Sequence, residues 1–252
     1  MNLVSTSRFK NYWERFPSSL RLIIKARLWT AIGAGGVLYL SPIIFNSLGF
    51  SAEEIGRGIT TAAFAGITTR FGTGYLLDKK YSFKKAIKIA CLVAIISDFI
   101  LFYSQNHLGY LTGQFFLGAS AGIYWPSVEL AVPLNCNNQV RSNEAYALAR
   151  SADAIGVTLG VFLGTIGTYF EFTRIIFLID SFCMIYIFYI LISKQTIIKK
   201  NEPLKTDNNR KSIKITSVKS SNFSWIIALL PLLSLTLLVT GIMTLLQSIL
   251  PL

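Results

Sequence analysis

Long apolar stretches separated by short polar segments dominate the chain. Seven of them fall near residues 27–47, 56–77, 86–104, 109–134, 145–169, 174–194 and 224–249. Each approaches the roughly 20 apolar residues needed to cross a hydrocarbon core of about 30 Å. Backbone facing lipid must satisfy its own hydrogen bonds, so runs of this length predict helices. Their continuity excludes the alternating strands of an outer-membrane barrel. The fold class predicted is an all-α membrane protein, a polytopic helical bundle.

The connections are unequal. Spans 1 to 6 are joined by short loops, whereas residues 195–223 are rich in Lys, Asn and Ser and read as a flexible cytoplasmic linker able to touch anionic headgroups. The expected organisation is a cytoplasmic amino-terminal segment (1–26), a six-helix transmembrane bundle (27–194), a basic linker (195–223) and a seventh transmembrane helix (224–252) that starts a second bundle.

Composition supports the pattern: 52% hydrophobic, 14% charged residues and positive mean hydropathy do not suit a soluble domain. A net charge of +12 would raise the question of nucleic acid in a soluble protein. Here all but Arg57, Arg70 and Arg174 of the 24 basic residues lie in or beside the amino-terminal segment and the loops after spans 2, 4 and 6, all on one side. The positive-inside rule makes that side cytoplasmic and accounts for the basicity, so no nucleic-acid partner is expected. The lipid bilayer is the partner that composition demands, and the expected location is the plasma or inner membrane with the amino terminus in the cytoplasm. Span 1, preceded by basic residues and of full length, reads as a signal anchor rather than a cleaved signal peptide.

Little in the chain resembles enzyme chemistry. Cys91, Cys136 and Cys183 have no CxxC spacing, and His107 falls in a short outer loop where it reads as a solvated residue. No catalytic residue, metal site or cofactor is expected.

Charges inside spans are costly and turn inward toward partners or water. Arg70, Glu129 and Asp153 lie at similar depth from the cytoplasmic face, which predicts an Arg70–Glu129 pair, with Asp153 nearby and held by Arg150 one turn earlier. Asp98 stands inside span 3, far from headgroups, as either a proton carrier or a packing residue. Asp180 is nearer the outer boundary, where local hydration explains it. Gly156, Gly160 and Gly164 form a small-residue stripe in span 5, and Gly109, Gly113, Gly118 and Gly122 two pairs in span 4; both predict helix interfaces. Trp125 and Tyr124 follow the span 4 glycines and are candidate substrate contacts.

Between spans 2 and 3 the chain reads RFGTGYLLDKKYSFKKAIKIA. Gly74, Leu76, Asp78 and Lys79, then Lys84 and Lys85, resemble the signature between helices 2 and 3 of the major facilitator superfamily. Leu77 replaces its small residue, the usual glycine near Tyr81 and Ser82 is missing, and the loop is slightly longer. The resemblance implies a six-helix transporter half plus one further helix, and a loop in which Asp78 bonds backbone donors or a basic side chain to lock one access state. GQFFLGASAGIYWP in span 4 is similar to the helix 4 motif, with Gln114 at the place of an inward arginine. A neutral amide cannot carry that charge but can bind a substrate. GVTLGVFLG in span 5 is similar to the glycine-rich helix 5 motif, with Val161 where antiporters carry proline.

The function implied is secondary transport of a small-molecule substrate by alternating access, with efflux preferred over uptake. The substrate or proton would be bound among Asp98, Gln114, Tyr124 and Trp125. Seven spans are too few for two bundles, which leaves a truncated transporter needing either a separate carboxy-terminal half or self-association. A non-transporting scaffold or inactive remnant is the rival.

Overall fold

The computed structural model describes residues 12–136 and 140–193; the linker and the seventh span lie outside them. Six helices account for most of the described chain: α1 Ser18–Ser47, α2 Ala52–Asp78, α3 Phe83–Tyr103, α4 His107–Leu134, α5 Ser142–Tyr169 and α6 Ile175–Ser193. All but α2 are long and apolar enough to cross a membrane. α2 has the length, but Glu53, Glu54, Arg57, Arg70, Asp78 and several threonines lower its hydropathy. Thr60, Thr61, Thr68 and Thr69 each donate to the carbonyl four residues earlier, which reduces the cost of their hydroxyls in an apolar setting.

α1 begins nine residues before the apolar run suggests. Pro17 precedes it, with a φ of −52° suited to a helix start, and Leu20, Ile23 and Ile24 bury its first turns against Leu77, Phe83 and Val132. α2 starts on a capping box in which Ser51 accepts from the Glu54 N–H at 3.2 Å and the Ser51 N–H donates to Glu54 Oε2 at 2.9 Å. His107 is not a loop residue but the first residue of α4, just after the Asn106 cap. Arg174, expected in an outer loop, reaches across to the end of α3, donating to the Phe102 carbonyl and to the Ser104 carbonyl at 2.8 Å. A cation there satisfies the open carbonyls of a helix carboxyl end.

The helices pack as a series in which neighbours run α2, α4, α3, α6, α1, α5, with the tightest contacts between α2 and α4 and between α1 and α5. Glycine makes both approaches possible. A Cβ at Gly160 would collide with the Ile32 carbonyl oxygen, and one at Gly156 would come 2.6 Å from the Leu28 carbonyl oxygen. On the other side, Gly118 lies against the Ala62 backbone and Gly122 against Gly66 and Thr69. The span 5 stripe is therefore filled by α1 inside the bundle, and it does not stand open to lipid awaiting a second half. At the end opposite the basic loops, Phe45, Phe50 and Tyr110 form an aromatic knot with centroids 4.3 to 5.6 Å apart. α2 and α5 stand at the two ends of the series.

Candidate functional site

A cavity of about 690 Å³ opens toward the basic-loop end, walled by Arg70 and Gly74 of α2, Trp125, Pro126 and Glu129 of α4, and Arg150 and Asp153 of α5. Its charge is organised by a residue that sequence reasoning placed among the cytoplasmic loop cations. Arg27 sits inside α1, only 1% exposed, with Nε 3.0 Å from Asp153 Oδ1 and Nη2 bonded to Asp153 Oδ2. The same Nη2 lies 3.8 Å from Glu129 Oε1, and the guanidinium stacks over the Trp125 ring at 5.4 Å. Arg150 completes the cluster, 2.6 Å from Glu129 Oε1 and 3.7 Å from Asp153 Oδ2.

A buried guanidinium is tolerable only when its charge and donors are matched, and a two-pronged carboxylate contact is the strongest match available. Arg27 Nη1 is left without a hydrogen-bond partner among the described residues. The expected Arg70–Glu129 pair is not formed. Arg27 and Arg150 satisfy Glu129 from α1 and α5, while Arg70 lines the same cavity from α2 and makes no ion pair among the described residues. Asp153 lines the same cavity, and its principal partner is Arg27 rather than Arg150.

The turn residues are placed differently from the lock expected of them. Asp78 ends α2 exposed, with no hydrogen bond or ion pair among the described residues, because no described element covers that face of the helix. It shares a recess of about 430 Å³ with Ile67, Arg70, Phe71, Gly74 and Tyr75. Lys79 lies over the Tyr75 ring, 4.3 Å from its centroid; Lys80 takes a φ of 65° where a glycine would be at ease, and Lys85 is exposed. Lys84 is partly buried near the start of α3. Among the described residues a Cβ at Gly74 would meet nothing within 4 Å, so packing does not require this glycine.

Of the four binding candidates, Trp125 alone lines the cavity. Tyr124 is buried between helices with its hydroxyl 2.6 Å from Thr30 Oγ1. Gln114 is buried beside Ser41 of α1, its Nε2 3.5 Å from the hydroxyl. Asp98 lies in the α3–α6 seam, accepting from Ser181 Oγ at 3.0 Å. Asp180, read as hydrated, is instead 1% exposed and next to Asp98. Gly156, Gly160 and Gly164 lie at a helix interface, with α1 as the facing element.

The missed residue, Arg27, had a signal. Pro17 followed by apolar positions 20, 22, 23 and 24 marks a helix start, which sets Arg27 about 14 Å into α1 at 1.5 Å per residue. Comparison with curated proteins finds no match. The sequence profile of the Major Facilitator Superfamily matches residues 26–252, nearly the whole chain. With a multi-pass bundle of apolar helices and an open, charge-lined cavity already in place, that match shows that the chain belongs to the major facilitator superfamily and is a transporter of that type.

Proposed function

We propose that the protein carries a small amphipathic solute by alternating access, in the direction of efflux, with the cavity between α2, α4 and α5 as the substrate's route on the cytoplasmic side. The observation that carries this reading is the cavity itself: a space of ligand size holding Arg70, which forms no ion pair among the described residues, an aromatic face at Trp125 and a charge cluster whose members come from three helices. Such a cluster can hold α1, α4 and α5 together in one access state and yield when a substrate competes for its charges. The amino terminus is assigned to the cytoplasm of a plasma or inner membrane by the charge of the loops.

The second bundle of the mechanism is supplied by a carboxy-terminal half or by self-association. Support comes from the two helices at the ends of the series, where Phe64, Ile67 and Phe71 of α2 and Ile155, Leu159 and Phe162 of α5 are exposed. Everted membrane vesicles containing the full chain, loaded with a panel of fluorescent amphipathic cations and anions, test the reading. Energised accumulation of at least one probe, lost in Arg70→Ala and Asp153→Asn at equal membrane abundance, is expected. Transport unaltered by both substitutions would refute the assignment of this cavity.

A further inference from the structure

Away from the cavity, Asp98 of α3 and Asp180 of α6 meet in a seam closed by α1. Both residues are 1% exposed, and their carboxyls lie within interacting range of each other. Ser181 Oγ donates to Asp98 Oδ2 at 3.0 Å, whereas Oδ1 of Asp98 and Oδ1 of Asp180 have no hydrogen-bond partner among the described residues. No Lys, Arg or His among the described residues forms an ion pair with either acid.

The surroundings are as short of cations as the pair itself. α1 contributes Gly33, and a Cβ there would collide with Asp180 Oδ1. The other titratable groups that interact with the pair are the buried thiols of Cys91 on α3 and Cys183 on α6. α4, packed against α3, accepts from Ser97 through the Gly113 carbonyl at 2.9 Å, and its Gln114 is turned toward Ser41.

Two adjoining carboxylates without a cation would repel each other, and burial strips both of hydration. A donor count leads to the same place, because two buried oxygens lack a hydrogen that one proton between them would supply. We propose that Asp98 and Asp180 jointly bind one proton, forming a carboxyl–carboxylate site that joins α3 to α6. A metal cation fits less well, since two carboxyls and one hydroxyl offer few oxygen ligands. The site shares no residue with the cavity, so it stands or falls independently of the transport route.

While the proton is held, a short hydrogen bond ties the two helices. Once it leaves, two anions face each other and the seam weakens, so stability is present at low pH and lost as pH rises. Infrared spectroscopy and thermal unfolding of the full chain in detergent test this. At about pH 7 the wild type should show the carbonyl band of a protonated carboxylic acid. That band should fade, and Tm fall by about 2 °C or more, as pH is raised to about 10. The isosteric Asp98→Asn/Asp180→Asn double variant should lack the band and its pH dependence. Should that variant fail to fold, the wild-type band and its loss with pH decide alone. No band at about pH 7, a band that survives in the double variant, or sodium stabilising the wild type in place of the proton would each overturn the proposal.

Discussion

Arg27 of α1 and Asp153 of α5 face each other in a two-pronged contact, Nε 3.0 Å from Oδ1 and Nη2 on Oδ2, with the arginine closed off from solvent. Removing Asp153 leaves the buried Arg27 only the 3.8 Å contact to Glu129, and removing Arg27 leaves Asp153 only the 3.7 Å contact to Arg150; loss of a buried partner costs about 3–5 kcal/mol, of which the remaining contacts offset a part. Asp153→Asn and Arg27→Met are each expected to lower Tm sharply in detergent. The Arg27→Met/Asp153→Leu double variant should recover most of that loss, because an apolar pair of similar volume needs no matching. Recovery of stability without recovery of transport would separate a role in access from a role in folding.

Gly160 and Gly74 are both helical glycines with opposite expectations. At Gly160 a Cβ meets the backbone of Ile32, which cannot move aside as a side-chain end can, so Gly160→Ala should cost about 1–3 kcal/mol. At Gly74 a Cβ meets open space, and Gly74→Ala should stabilise the helix by about 0.5–1 kcal/mol. Thermal unfolding of the two variants side by side checks the contrast; similar effects would mean that α1 and α5 are not in close contact.

Lys80 and Asp78 give the α2–α3 turn two separable properties. Lys80 holds a left-handed backbone at φ 65°, so Lys80→Gly should stabilise by about 1 kcal/mol. Asp78 has no partner among the described residues, so Asp78→Asn should change stability by less than about 0.5 kcal/mol and leave insertion intact, since Lys and Arg set topology. Impaired transport in Asp78→Asn at normal abundance would show that its partner belongs to another access state or another element.

Glu54 makes the start of α2 sensitive to acid. The Ser51 backbone N–H and hydroxyl hold its carboxyl below the ordinary glutamate value. A group whose value is depressed on folding contributes stability at pH above its unfolded value and loses it as pH falls through the folded one. Protection factors of the amides in the first turn of α2, with exchange referred to the intrinsic rate at each pH, should therefore fall in acid. Ser51→Ala should lower them at neutral pH and flatten the acid response.

The helices, their order and the membrane setting were legible in the chain because burial in lipid demands long apolar runs and self-satisfied backbone, both local properties. The α5 glycine stripe was legible as an interface for the same reason: spacing of four places Gly156, Gly160 and Gly164 on one helix face. Which helix fills it was not, and α1 proved to be the answer. The apolar run alone sets Arg27 with the basic residues ahead of span 1, because such a run marks where a helix becomes greasy, not where its hydrogen bonds begin.

Charge pairing was the part that only the tertiary structure decided. Depth along a helix suggested Arg70 for Glu129, but depth leaves open which way each helix turns about its axis. That rotation is set by packing, through Gly160 against Ile32 and Gly118 against Ala62, and it aims Arg27 and Arg150 at Glu129. Asp98 and Asp180 meet for the same reason, 82 positions apart in the chain and adjacent only because α3 and α6 are neighbours. A sequence determines how much charge enters a membrane and on which span; the azimuth at which helices lock determines what that charge meets.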